Sequence, residues 1–340
     1  GVIKMKNDIA AIGNALVDTV FKVPHGLIKE LGLEIDQMTL SSAEEHAPII
    51  QRLLDSGADT MSDCGGSATN SLVAAARFGA SCFHVCKVSD DQDGKRYLNS
   101  LKDAGVNHGG LMAKEGSIPT GKCLILVTPD AKRTMTTALN VSSLMDENDL
   151  DLDQIANSKI FYIEGYMVTS PENYQVTLKA LNHLKDFPEV KIALSLSDPG
   201  LVMGFREKFN EIESFGLDYL FGNADEAMAF AEAENLEAAL TSLQSKSYTS
   251  IVTMGKDGSA VVQTNEIIKT PRYQGMGQPI DTNGAGDMFA GSFLYALLQN
   301  NSLGACSKFA NYGAAKVVET FGPRLTLDGY RDVLNNYQKS

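Results

Sequence analysis
The chain has no tryptophan among its 340 residues, so a flat ligand must be walled by tyrosine, phenylalanine or aliphatic side chains. Its five cysteines (Cys64, Cys82, Cys86, Cys123 and Cys306) are odd in number and lack metal-ligand pairing. A reduced, cytoplasmic compartment is the simplest account. Cys82 and Cys86 lie in an apolar run and read as core. The five histidines are scattered without HxxxH or HExxH spacing, so no zinc site is proposed. Positive charge is scarce as well. Against 42 acidic residues stand 29 basic ones, a net charge of −13, which argues against a nucleic-acid or anionic-membrane partner. The uncharged stretch from Met288 to Ser307 is interrupted by glutamine, asparagines, serines and glycines, so it does not read as a membrane span. Lys4, Lys6 and Asp8 are not followed by a long apolar core, and no secretory leader is expected. Internal repeats and low-complexity segments are absent too. With 44% hydrophobic residues the chain has enough for a sizeable core, and its length suits an open α/β sheet carrying an inserted subdomain.

What the chain does have is glycine at the entry to helices. In Asp281-Thr282-Asn283-Gly284-Ala285-Gly286-Asp287 a small-residue turn runs into a helix whose apolar face is Phe289, Phe293, Ala296 and Leu297, at i, i+4, i+7 and i+8. The amides of Gly284, Ala285 and Gly286 can approach a ligand closely, and the positive end of the helix dipole makes the turn an anion site. Asp287, in the first turn, either favours that dipole or takes a proton from a hydroxyl attacking a bound phosphoryl group. A second such entry is Gly65-Gly66-Ser67-Ala68-Thr69-Asn70-Ser71. An N-cap at Ser67 would explain the serine but not the two glycines, and Asn70 offers a donor and an acceptor to sugar hydroxyls.

Ile9 to Ile12 reads as a buried strand ending at Gly13-Asn14, and Ala15 to Val23 alternates like a half-exposed one. Asn14 and Asp18 sit at the junction, as a turn asparagine and a solvated aspartate or as ligands. Apolar strands follow at Cys82–Val88, Cys123–Val127, Ile160–Ile163, Ile192–Leu196, Tyr219–Phe221, Ile251–Thr253 and Ala260–Val262. Helical patterns lie around 92–104, 172–185, 225–232, 236–244, 287–299, 303–318 and 328–337. This alternation predicts an α/β fold, an open, mostly parallel sheet with helices on both faces and ligands at the carboxyl ends of the strands. Residues 1–14, 41–110 and 139–340 would form that core. Residues 15–40 and 111–138 look like strands and turns without covering helices and would form a small β-sheet lid that excludes water. Asn223 and Glu226 share a face of a first helical turn, where they either hold a hydrated magnesium ion or form a capping box. Thr253-Met254-Gly255-Lys256-Asp257-Gly258 suits a hairpin turn or the passage of a nucleotide tail, with Lys256 read as solvated.

GGSATN, NADE, VTMGKDG and DTNGAGD, in this order, resemble the ribokinase-like (PfkB-type) family of carbohydrate and nucleoside kinases over nearly the whole chain. The resemblance implies Asp287 as catalytic base, with Gly284, Ala285 and Gly286 as the anion hole and Arg133 near the transferred phosphate. It implies Mg2+ at Asn223 and Glu226, a monovalent cation such as K+ at Asp281 and Thr282, and ATP along Asn223, Thr253, Gly255, Gly258 and Asn311. Within the family the likeness runs toward the adenosine kinases, in which Asn14, Asp18, Gly66 and Asn70 would hold a ribose and Leu16 and Tyr166 would flank a base. The expected reaction is transfer of the ATP γ-phosphoryl to the 5′-hydroxyl of adenosine by a monomer or homodimer. A ribokinase- or fructokinase-type sugar kinase is the alternative within the class. A non-catalytic nucleoside- or nucleotide-binding regulator is the alternative outside it, and the intact Asp287 and glycine turn speak against that one.

Overall fold
The computed structural model describes residues 6–110, 112–114, 118–130, 132–274 and 277–337. The sequence-derived domain ranges also take in 1–5, 111, 115–117, 131, 275–276 and 338–340, which lie outside the described residues.

Among the described residues, nine strands form one sheet. Their order is Glu266–Thr270, Ser259–Gln263, Thr249–Thr253, Tyr219–Asn223, Lys191–Ser195, Ser158–Glu164, Asn7–Ile12, Cys82–Val85 and Val106–His108. All neighbours run parallel except the two pairs at the Glu266–Thr270 edge. Side chains alternate across each strand, and both faces are covered. Ile9 and Ala11 therefore join a core with the helices Ser67–Phe78, Ala285–Leu298 and Leu303–Val317. Ala10 and Ile12 join another on the opposite face, with Pro171–Leu184 and Leu236–Leu243. This is the expected open sheet with helices on both faces. The short edge strands Val106–His108 and Glu266–Thr270 and the helices Pro199–Gly204 and Arg206–Ser214 escape the periodicity reading. No helix among the described residues is long and apolar enough to cross a membrane.

A second sheet has the order Met38–Leu40, Arg133–Ala138, Gly121–Val127, Leu16–Lys22 and Thr60–Gly65. It departs from the sequence reading in two ways. Thr60–Gly65, assigned above to the core with 41–110, pairs antiparallel with Leu16–Lys22, from Leu16 opposite Gly65 to Phe21 opposite Thr60. Four of its six residues are exposed, so no apolar pattern marks it. The sheet also has covering helices on one face. His25–Glu30 and Ala43–Asp55, the latter opened by a Ser42–Glu45 capping box, pack Leu27, Ile28 and Leu53 on Phe21, Leu124 and Leu126. The alternate residues Cys123 and Ile125 face the other way, into a cavity between the two sheets.

The helices Ser67–Phe78 and Ala285–Leu298 touch backbone to side chain at Gly291. A Cβ there would collide with the Ser71 carbonyl oxygen and lie 3.0 Å from the Ala74 Cβ. Two effects compete in Gly291→Ala. Helix propensity favours alanine by about 1 kcal/mol, whereas overpacking a tight contact typically costs about 1–3 kcal/mol. Because one obstacle is backbone, overpacking should win, and urea unfolding should show a lower midpoint with an unchanged slope. A variant more stable than wild type would mean that the helices are further apart than described.

Candidate active site
The cavity between the sheets has a volume of about 450 Å3. Chain stretches following three of the main-sheet strands meet there, as parallel strands dictate. These stretches are Gly13-Asn14 after Asn7–Ile12, Glu164 at the end of Ser158–Glu164, and Asn223 at the end of Tyr219–Asn223. The two glycine turns face each other across it. Gly66 holds φ +104°, and a Cβ there would collide with the Asn14 carbonyl oxygen. Gly284, the N-cap of Ala285–Leu298, holds φ +80°, and its Cβ would lie 2.6 Å from Pro323 Cα. Only glycine fits either place.

Asp287 stands between these turns. Its Oδ1 accepts a hydrogen bond from Ser67 Oγ at 2.7 Å and its Oδ2 one from Asn70 Nδ2 at 3.2 Å. Ser71 Oγ donates to the Asp287 carbonyl at 2.9 Å. Burial pushes the Asp287 carboxyl up to about 6, and the Ser67 and Asn70 hydrogen bonds pull against that rise. Asn70 Oδ1 is buried and unpartnered among the described residues, so it can accept a donor from a ligand in the cavity.

Glu164 was not singled out in the sequence. It is 1% exposed, and its two oxygens accept the Ala68 amide at 2.9 Å and the Asn14 amide at 3.4 Å. Burial raises its carboxyl to about 7 against those amide hydrogen bonds. It thus ties the first strand to the start of the Ser67–Phe78 helix. A glutamate closing the apolar run Ile160–Ile163 was the available signal, since a charge at the carboxyl end of a buried parallel strand faces the ligand crevice. Ser67, a candidate N-cap by sequence, is the first helical residue after the N-cap Gly66, and its hydroxyl goes to Asp287 instead.

Asn14 is buried, and its Oδ1 accepts from Asn173 Nδ2 at 3.3 Å. Asp18 lies on the lid strand directly across from Asp63. Burial and then the Asp63 charge lift its carboxyl to about 7, while Arg324 pulls it down. Leu16, Tyr166, Gly66 and Asn70 line the same cavity, so all six expected acceptor residues converge. Lid side chains Met38, Leu40, Ile125 and Met135 add an apolar wall.

A second cavity of about 280 Å3 holds Thr253, Gly255, Gly258 and Asn311. It shares Thr253, Thr282, Gly286 and Phe289 with the first, so the two meet at the Gly284–Gly286 turn. Lys256 lines this second space but is exposed. Asn223 and Glu226 form the capping box, with Glu226 Oε2 accepting the Asn223 amide at 2.7 Å and Asn223 Oδ1 accepting the Glu226 amide at 2.8 Å. Burial raises the Glu226 carboxyl to about 7. Both side chains line the larger cavity, so capping does not remove them from it. No cluster of three or more His, Cys, Asp or Glu suited to a metal occurs among the described residues. Glu226 can serve Mg2+ that arrives with nucleotide phosphates and keeps most of its waters, the usual mode for this ion.

Arg133 does not line either cavity. Its guanidinium lies 2.7 Å from Asp281 Oδ2, which also accepts the Gly322 amide at 2.9 Å. Asp281 Oδ1 takes the Asn283 amide at 2.9 Å. At the expected K+ site, Asp281 Oδ2 is therefore taken by two donors and Oδ1 by one amide, and Thr282 is exposed beside them.

The pfkB family carbohydrate kinase profile matches residues 41–328. An adenosine kinase of Saccharomyces cerevisiae is 27% identical over 94% of this chain and 97% of its own length. The crystal structure of adenosine kinase from Sinorhizobium meliloti superposes with a TM-score of 0.87 at 30% identity, covering 97% of this chain and 99% of that one. A probable sugar kinase from Rhizobium etli superposes with a TM-score of 0.88 at 26% identity, covering 98% and 99%. With the sequence profile spanning most of the chain and these folds matching nearly end to end, the chain belongs to the pfkB family of carbohydrate kinases, ATP-dependent enzymes of ribokinase-like fold.

Proposed function
We propose that the chain transfers the γ-phosphoryl of ATP to the 5′-hydroxyl of adenosine, giving AMP. One observation carries this reading: Asp287, held by Ser67 and Asn70, stands where the acceptor cavity meets the second cavity at the glycine turn. In it, ATP occupies the second cavity, with its phosphates toward the Gly284, Ala285 and Gly286 amides. The acceptor ribose lies against Asn14, Asp18, Gly66 and Asn70. Asp287 accepts the 5′-hydroxyl proton as the oxygen attacks the phosphorus, and the amides hold the equatorial phosphoryl oxygens. Mg2+ held by Glu226 and Asn223 through water would neutralise phosphate charge when bound. A simple sugar is the alternative acceptor. The likeness to the Rhizobium etli probable sugar kinase and the polar Glu164 on the cavity wall favour it.

Asp287→Asn is nearly isosteric and cannot accept the proton. Turnover should fall by about 10²- to 10⁴-fold while binding of both substrates persists. A variant that keeps wild-type turnover in a steady-state assay would remove Asp287 from the mechanism.

The base works only when ionised, so activity should fall as pH drops through about 6, the value burial gives Asp287. Ser67→Ala deletes a hydrogen bond that favours the ionised form, and the carboxyl must then rise further. With such bonds worth roughly 1.5–3 kcal/mol, the acid limb of kcat/KM should move up by about one to two pH units. An unmoved or lowered limb would contradict this role for Ser67.

The apolar lid wall decides between nucleoside and sugar. Burying on the order of 100 Å2 of a base at ~25 cal/mol per Å2 gives about 2.5 kcal/mol, nearly a hundredfold in affinity, before lid ordering subtracts from it. Adenosine should raise the melting midpoint at concentrations where ribose and fructose do not. If either sugar acts at the lower concentration, the sugar-kinase reading replaces this one, with Asp287 keeping its role.

A further inference from the structure
We propose that the Arg133 guanidinium is the built-in counter-charge of Asp281, so that the phosphoryl-binding turn of this chain works without an added monovalent cation. Asp281 is three residues before Gly284, and its side chain is 1% exposed. A carboxylate so enclosed must be paired or pay heavily for lost hydration. Oδ2 takes Arg133 at 2.7 Å and the Gly322 amide at 2.9 Å, and Oδ1 takes the Asn283 amide at 2.9 Å. The guanidinium is fixed on its other side by the Phe321 ring, 5.3 Å from the centroid, in cation–π contact.

Through these bonds Asp281 joins three pieces of chain. Asn283 opens the turn that ends at Gly284, Gly322 precedes the Pro323 that packs on Gly284, and Arg133 begins the lid strand Arg133–Ala138. The charge that organises the turn is therefore attached to the lid. Arginine stays protonated at every working pH and donates in a fixed plane, so it supplies this charge permanently. A bare cation at Asp281 Oδ2 would have to displace it.

The test uses the intact protein and compares KCl with tetramethylammonium chloride at matched ionic strength, which removes general screening as a variable. Wild type should show the same turnover and the same melting midpoint in both salts. Arg133→Ala should melt lower in tetramethylammonium chloride, because it leaves a buried charge unpaired. KCl should recover part of that loss, because a small cation can then reach Asp281. A wild type that gains turnover or melting temperature from K+ would overturn the proposal. So would an Arg133→Ala variant that melts like wild type, or one that gains nothing from K+. The wild-type comparison needs no variant and decides even if Arg133→Ala fails to fold. Only the turnover measurement rests on the kinase reading. If the protein shows no ATP-dependent turnover with any acceptor, that reading falls while the melting result still reports on Asp281.

Discussion
The site depends on two helices that start from glycine turns and meet across one carboxylate. Ser67–Phe78 and Ala285–Leu298 pack so closely that Gly291 has no room for a methyl group. That closeness puts Ser67 and Asn70 within hydrogen-bonding distance of Asp287 and lets Ser71 hold the Asp287 carbonyl. Both helix starts direct positive dipole ends at the same place, with the Ala68 amide of the first taken by Glu164. An anion can enter there, and a carboxylate can stay ionised there although burial works against it. If the contact moved by an ångström, the Asp287 carboxylate and the helix starts would no longer face the same place.

The lid is tied to this centre by charge as well as by sheet pairing. Arg133 reaches from the lid to Asp281, and Lys122, on the neighbouring strand, pairs with Asp93 of the helix Gln92–Ala104 at 2.9 Å. The first pair is nearly enclosed, whereas the second is partly open to water and contributes less for that reason. The Thr60–Gly65 strand then runs straight from the lid into Gly66. The second sheet is thus joined to both glycine turns, to one covalently and to the other through the Arg133–Asp281 pair.

Much of this was legible in the sequence where a physical period or a steric demand stood behind the letters. Buried parallel strands show as apolar runs, and Ile9–Ile12 and Ile160–Ile163 were found on that basis. The glycine turns were legible because no other residue fits Gly66 or Gly284. Thr60–Gly65 was not, because a mostly exposed lid strand of Thr, Met, Ser and Asp carries no alternation that separates it from a loop. Glu164 was missed because its partners, the amides of Asn14 and Ala68, are distant in sequence and offer no spacing to read. The Arg133–Asp281 pair spans 148 positions for the same reason. Asn223 and Glu226 show the converse. Their spacing announced a capping box and a metal pair equally, and the structure contains the box while leaving both side chains on the cavity wall.

The carboxylates around the cavity explain why its surroundings must be so well packed. Asp18, Glu164 and Glu226 are pushed up to about 7 and Asp287 to about 6, in each case first by burial. For an acid, a folded value above the unfolded one means that the native state holds protons the unfolded chain has released. Through that window, from about 4 up to about 7, native stability falls as pH rises. At neutral pH these buried carboxylates therefore destabilise that part of the molecule, and the apolar cores on either side of the sheet must offset it. Ligands reverse the sign. Under the proposed function, hydroxyls donating to Asp18 and a cation beside Glu226 would favour the ionised forms, so the charges that weaken the protein alone would strengthen the loaded one. In a chain with a net charge of −13, acids clustered around one cavity are matched by what enters only if it brings donors and positive charge with it. An acceptor rich in hydroxyls and a magnesium-bearing nucleotide meet both conditions.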